Sequence, residues 1–574
     1  MADLLIKGGL VVDGTGAPGR VADVAVTGGR VTAIGNGTEG ASEVFDASGL
    51  VVAPGFVDVH THYDAQLFWD PTASPSPLHG VTTVIGGNCG FTLAPAGADH
   101  ADYLMRMMAR VEGMPLAALE AGLPWDWEGF ADWRARLEGR IAVNAGFLVG
   151  HSAVRRAVLG EGMHEPATPE QIESMARLVE DACAAGALGF STSQAPTHND
   201  GDGEPVPSRG ATADELVALA SAVRGVEGTT LELILAGCLN GFTDDEIDLM
   251  TRISLAGGRP VNWNVLGVSA MNPTGHESQL RASDAAAERG ARIVALTLPH
   301  TTKIRLSFLS GFVFDGLPGW RPVMALPPVE RMRALADPRT RRRLAAGASS
   351  EEAGILRGLA NWGRLELVET FAPENAAFEG KRVGDVVEAN GGGDPFDVLL
   401  DIVLADDLRT GLSPGGMQTT ADDWKLRAEV WRDPRTVVGG SDAGAHMDMM
   451  CGAIYSTALL AHGVREHEAL TLEEAVHLLS DEPARLYGLR NRGRIAEGYA
   501  ADLVVFDPER VGYRPERTRD DLPGGASRLY ADADGVEAVF VNGTRIVDGG
   551  TFTGTTPGTL LASGRDTATV SLGA

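Results

Sequence analysis

Lysine is nearly missing from this 574-residue chain: Lys7, Lys303, Lys381 and Lys425 stand beside 44 arginines. Few positions are therefore open to a catalytic or carbamylated lysine. Positive charge as a whole is short, with 48 Lys+Arg against 77 Asp+Glu and a net charge of −29. That balance excludes a phosphate-tracking surface, so no nucleic-acid partner is expected. Cysteine is sparse too. Cys89, Cys183, Cys238 and Cys451 are widely separated and form no CxxC pair. This excludes a disulfide framework and fits a reducing compartment. No apolar run approaches the roughly 18 residues of a membrane span. The N-terminus carries an acid at position 3 and reaches Gly8-Gly9 after a short apolar run, unlike a signal peptide. The expectation is a cytoplasmic protein with no membrane partner.

What is present is an ordinary globular composition, 44% hydrophobic and 22% charged, on a chain long enough for roughly two to four domains. The first fifty residues alternate β-branched positions with Gly-Gly and Asp-Gly turns, and similar runs return only after residue 500, around Asn542-Gly543. Two isolated small sheets would each leave edges unpaired. One small β-sandwich built from both termini, residues 1–53 and 488–574, is the economical arrangement, with a Gly/Thr-rich tail after 549. Between them, apolar runs at 52–60, 82–87, 143–150, 188–193, 229–235, 260–266, 291–298 and 436–443 alternate with helical segments. Several of those helices open on capping boxes, at Thr168, Thr212, Thr243 and Thr471. Eight strand–helix units predict an α/β fold, a (β/α)8 TIM-like barrel over 54–487 inserted into the small β-domain. An open doubly wound sheet is the alternative, but no GxGxxG follows the first strand. The stretch 305–385 is too long for one connecting helix and reads as an insertion on the barrel's C-terminal face. Its Arg-rich run, RMRALADPRTRRRLAAG, reads as a solvated helix face on so acidic a chain.

The strongest local signal is Pro54-Gly-Phe-Val-Asp58-Val-His60-Thr-His62. Alternate residues of a strand project to one side, so His60 and His62 can share one metal ion at the strand's C-terminal end. The competing reading is two histidines in a polar loop. The wider context selects the metal. The β-rich start running into PGFVDVHTH, the Ser441-Asp442 pair after a late strand, and Gly493-Arg-Ile-Ala-Glu-Gly498-Tyr-Ala-Ala501-Asp502 together resemble the amidohydrolase superfamily. Gly80-Val-Thr-Thr-Val-Ile-Gly-Gly-Asn88-Cys89-Gly90, with Gly150-His151-Ser152 and Gly186-Ala-Leu-Gly-Phe-Ser191-Thr192, is similar to its D-aminoacylase (N-acyl-D-amino-acid deacylase) branch.

The resemblance implies that His60, His62 and Cys89 are metal ligands. It also implies that Asp442 is both a weak ligand and the general base that takes a proton from the attacking water. His151, after the third strand, is a second catalytic candidate that could polarise a carbonyl, or else a structural hydrogen-bonding residue. His198 and His446 are expected at the substrate pocket, and Lys303 with Arg305 could hold a substrate carboxylate. Both cations could instead pair with acids of this acidic chain. The chain also departs from the branch, whose fifth and sixth strands each end in a metal-binding histidine. Here those strands read Thr230-Leu-Glu232-Leu-Ile and Val261-Asn262-Trp-Asn264-Val, and the fourth, Phe190-Ser-Thr-Ser-Gln194, has no lysine to carbamylate. The expectation is therefore one zinc per chain rather than two. Recruitment of His198 as a ligand, or a site without metal, remain as alternatives. The function expected is hydrolysis of a non-peptide amide, an N-acyl-(D-)amino acid or related acylated amine. The alternatives are a diverged amidohydrolase acting on a cyclic amide, lactone or aryl amide, and a non-catalytic binding protein. A homo-oligomer stays open.

Overall fold

A computed structural model describes residues 1–35, 40–299, 303–311, 313–414 and 419–573. All eight runs predicted as barrel strands form strands. They are β1 (Phe56–Asp58), β2 (Val81–Gly86), β3 (Asn144–Phe147, resuming at Val149–Gly150), β4 (Gly189–Ser193), β5 (Thr230–Ile234), β6 (Val261–Leu266), β7 (Ile293–Thr297) and β8 (Thr436–Val438). Each pairs in parallel with the next. The ring closes just beyond β1 and β8, through a parallel bridge between Thr61 and Ala443. There the His62 N–H donates to the Ala443 carbonyl at 2.7 Å and the Asp442 N–H to the His60 carbonyl at 3.0 Å. The seam that shuts the barrel is thus made by the segments that carry the candidate ligands. Apolar side chains from six of the eight strand segments, Val57, Ile85, Leu148, Leu188, Leu296 and Val437, meet in one buried cluster with Tyr487 and Leu561.

The capping boxes follow their sequence. Thr168, Thr243 and Thr471 each make the reciprocal pair of bonds. Thr212 accepts from the Glu215 N–H, but Glu215 does not reach back, because its carboxylate is drawn to Arg155 and His151.

The termini build one β-domain, as the turn signals imply. Val51–Pro54 runs antiparallel to Leu503–Phe506, which joins Val536–Val541 and Thr544–Asp548. Asn542 and Gly543 turn that last hairpin with φ of 48° and 77°, as a type I′ turn requires. The strand Ala2–Val11 is shared between two leaves: Leu4–Lys7 pairs with the strand Ala41–Asp46, and Leu10–Val11 with Val51–Val52. Leu4, Ile6, Val24, Val52, Leu503, Val505 and Phe540 pack as their common core. The Gly/Thr-rich tail is tied to the barrel end opposite the closing seam. Thr559 and Leu561 bond the backbone of Ala145, and the Thr567 hydroxyl donates to the Gly228 carbonyl.

The insertion has its own core, of which Leu306, Phe308, Trp320, Trp362, Phe396 and Leu412 are members. It therefore runs past the expected limit of 385. The reason is that the helix Pro395–Ala405 packs inward and Gly411–Ser413 pairs with Glu366–Glu369. The Arg-rich run is only partly a solvated face: Arg331 is buried and donates to the Phe308 and Leu309 carbonyls. Among the described residues no helix is long and apolar enough to cross a membrane.

Candidate active site

Three loops at the C-terminal ends of β1, β2 and β8 bring the chemistry together. His60 and His62 follow β1 and are 2% and 1% exposed. After β2 the chain turns through Gly87, Cys89 and Gly90, all at positive φ (76°, 55° and 76°). A Cβ on Gly87 would stand 2.4 Å from the Leu148 carbonyl oxygen, so only glycine fits there. The Asn88 amide donates to the Thr61 and Ile85 carbonyls, fastening this turn to the histidine segment. Cys89 is held in a left-handed conformation that costs a non-glycine residue about 1–3 kcal/mol. Its N–H donates to Glu232 Oε2 at 2.8 Å, and Asn264 Nδ2 reaches its sulfur at 3.6 Å. After β8, Asp442 and His446 also have positive φ, 61° and 48°. Buried Asp58 ties β1 to the loop after β8 by accepting from the Ser441 N–H and hydroxyl, and burial pushes its carboxyl up to about 7.

The donor atoms converge. His60 Nε2 lies 3.5 Å from Cys89 Sγ and 3.7 Å from Asp442 Oδ1. His62 Nε2 lies 3.1 Å from Asp442 Oδ1 and 3.6 Å from Glu112 Oε2. Two overlapping groups, His60–His62–Cys89 and His62–Glu112–Asp442, each gather their donors within 4.8 Å. Zinc bonds of about 2.0–2.3 Å at tetrahedral angles separate donors by roughly 3.3–3.8 Å. The mixed imidazole, thiol and carboxylate set therefore fits a divalent transition metal in both chemistry and spacing. Burial also pushes the His60 imidazole down to about 3, keeping it neutral, as a ligand must be. For His62, burial opposes protonation but the Glu112 and Asp442 carboxylates outweigh it and raise the ring to about 10, so a metal ion binding there would displace its proton. Asp442, partly buried, is lowered despite the desolvation it suffers, chiefly by His62.

A cavity of about 450 Å³ opens on His60 and Asp442. Leu298, Ile304, Met449 and Met450 give it apolar walls, and Lys303, Glu516 and His446 also line it. His446 Nε2 is 3.8 Å from Asp442 Oδ2. Lys303 Nζ sits over the Tyr513 ring, 5.9 Å from its centroid. His198 is not among the lining residues. Its Nδ1 bonds Ser193 at 2.8 Å, its ring packs on Phe91, and burial pushes it down to about 4.

Two expectations need correction. Arg305 does not reach the cavity. Its guanidinium pairs with Glu369 at 2.8 Å and donates to Thr518 Oγ1 at 2.7 Å, so it anchors the insertion instead. His151 is not poised for catalysis either: it is fully buried and spends both nitrogens, Nδ1 on Thr192 Oγ1 at 2.8 Å and Nε2 on Glu215 Oε1 at 2.9 Å. Arg155 binds the same carboxylate, and the Glu215 and Arg155 side chains are both 0% exposed. Glu215→Ala would leave a buried guanidinium unpaired. We expect it to lose about 3–5 kcal/mol of stability in chemical denaturation while the folded fraction keeps wild-type kcat.

Glu112 was not singled out by the sequence. A faint signal exists: Leu104, Met107, Met108 and Val111 form the buried face of the helix Ala101–Val111, and Glu112, four residues after Met108, continues that face with an acid that is only 3% exposed. Asp64 carries no such signal in the sequence; it accepts the Gly87 N–H at 3.0 Å and so supports the cysteine turn.

The pattern of the amidohydrolase family matches residues 43–547. The D-aminoacylase of Alcaligenes xylosoxydans xylosoxydans is 30% identical, over 98% of this chain and 97% of its own length. The N-acyl-D-aspartate deacylase of the same organism is 30% identical, over 98% and 95%. A solved D-aminoacylase superposes with a TM-score of 0.63 at 25% identity, covering 98% of this chain and all of that one. That enzyme is described as having a binuclear metal centre with one-metal activation and second-metal attenuation. With the barrel, the histidine pair and the β8 aspartate in place, this chain belongs to the amidohydrolase family, in its D-aminoacylase branch, and is a hydrolytic enzyme.

Proposed function

We propose that the chain is a metal-dependent deacylase that cleaves the amide bond of an N-acyl-D-amino acid or a related acylated amine. The observation that carries this reading is the convergence of His60, His62, Cys89 and Asp442 beside an apolar-walled cavity that opens on His60 and Asp442. These four residues would hold one zinc ion, in keeping with the one-metal activation described for the related D-aminoacylase. Bound there, zinc supplies Lewis-acid polarisation of the amide carbonyl and acidifies water. Asp442, 3.1 Å from His62 Nε2, accepts the proton of the water that attacks the carbonyl carbon. It then gives up that proton to the amide nitrogen as the C–N bond breaks, so that a carboxylic acid and a free amine leave. The apolar walls suit the acyl chain. Lys303 is the cation placed to meet a substrate carboxylate, and His446 borders the reacting amide.

A second reading, hydrolysis of a neutral cyclic amide, aryl amide or lactone, is favoured by one observation: Arg305 is committed to Glu369 and Thr518, which leaves Lys303 as the only lysine or arginine among the described lining residues. A panel separates the two. N-acyl-D- and N-acyl-L-amino acids, matched neutral amides and lactones are assayed for kcat/KM with the zinc-loaded enzyme. The first reading requires preference for carboxylate-bearing N-acyl substrates. A uniform preference for neutral substrates replaces it with the second.

A further inference from the structure

Glu112 is a buried acid that the proposed reaction does not use. It ends the helix Ala101–Val111 in the long connection between β2 and β3, and its carboxylate stands 3.6 Å from His62 Nε2. Its backbone carbonyl also accepts the His446 N–H at 2.5 Å, so it is fastened to the loop after β8 on a second side. A Cβ on Gly113 would stand 3.1 Å from the His446 Cα, so the two loops approach closely there.

We infer that Glu112 is itself a metal ligand, completing the coordination that the fifth and sixth strands no longer supply. The inference rests on the metal-dependent reading above. Three observations carry it. The first is which nitrogen Glu112 faces. An acid that merely orients a metal-binding histidine bonds the ring nitrogen pointing away from the metal. Glu112 and Asp442 instead both approach Nε2 of His62, whose Nδ1 has no hydrogen-bond partner. The second is the sharing of His62 between the two donor groups. Glu112 therefore stands at ligand spacing from two residues already assigned to the metal, His62 and Asp442. The third is what stands where the branch's histidines would be. Glu232 receives the Cys89 N–H and Asn264 reaches the Cys89 sulfur, so both hold the thiol in place. The lost nitrogen donors are thus compensated from a different quarter of the fold, by an oxygen donor beside His62.

The test measures zinc affinity directly, by competition with a chromophoric chelator, and the d–d spectrum of the cobalt(II)-substituted protein. Wild type, Glu112→Gln, Glu112→His and Glu232→Gln are compared, with far-UV circular dichroism as the fold control. Glu112→Gln is expected to weaken zinc binding about 100-fold or more and to shift the cobalt bands, since losing even an outer partner of a ligand costs 10–100-fold. Glu112→His is expected to restore much of that affinity, because an imidazole can coordinate where an amide does poorly; a purely electrostatic or structural role would not be rescued by a neutral ring. Glu232→Gln is expected to stay within a few-fold of wild type. Wild-type zinc affinity and an unshifted cobalt spectrum in Glu112→Gln would overturn the inference while leaving the deacylase reading intact. If Glu112→Gln does not fold, a folded Glu112→His protein with wild-type-like affinity supports it and one that has lost zinc overturns it. A wild-type protein that binds no metal overturns both readings.

Discussion

Asp442→Asn is expected to lower kcat by about 10²–10⁴-fold, the usual contribution of a positioned general base. An amide keeps the shape of the side chain but cannot take a proton from water at neutral pH. Asp442 is anchored by backbone as well as by charge, its N–H bonding the His60 carbonyl at 3.0 Å. The substitution should therefore leave the barrel seam closed and the melting temperature little changed. A carboxylate oxygen remains on Glu112 to hold the metal, so zinc content should fall less than activity does. Steady-state kinetics and elemental analysis on the same preparation check both halves. Near-normal kcat in this variant would mean that the proton is accepted elsewhere, with His446, 3.8 Å away, the first residue to examine.

His62→Ala is expected to have the larger effect on the metal. His62 is the one residue common to both donor groups, and its removal breaks each of them. Bound zinc after dialysis should fall from about one equivalent to nearly none, and activity to background, because the remaining donors no longer form a closed set. The variant also leaves Asp442 and the buried Glu112 without the imidazole between them. We expect a lower melting temperature that rises again as the pH falls and those carboxyls take up protons. Retention of a full zinc equivalent in His62→Ala would contradict its assignment as a ligand.

Much of the architecture is legible because it is written in short-range signals. Short apolar runs mark all eight barrel strands, the threonine caps mark the helix starts, and Asn542-Gly543 marks its hairpin by the positive φ that both residues accept. The extent of the insertion is not legible, because the helix Pro395–Ala405 has the apolar content of a barrel helix and only its packing against Trp362 and Trp320 assigns it elsewhere. The site divides in the same way. His60 and His62 are neighbours on one strand, and Cys89 and Asp442 lie in turns with recognisable glycines, so their convergence follows from the barrel itself. His151 and Arg305 look functional only until their partners are known. Glu215 and Glu369 lie far along the chain, and nothing local in the sequence shows that each satisfies its partner. Glu112 is the reverse case: its neighbours spell a plain amphipathic helix end, and its role comes from where that end docks.

The central claim, a single zinc on ligands from the β1, β2 and β8 loops, is tested most directly by counting metal in the wild-type chain. Protein purified without added metal and dialysed extensively is analysed for zinc and other transition metals against chain concentration. About one equivalent is the expected result, since the fifth and sixth strands offer Glu232 and Asn264 in place of histidines. Two equivalents surviving dialysis, or none with full activity retained, would contradict it.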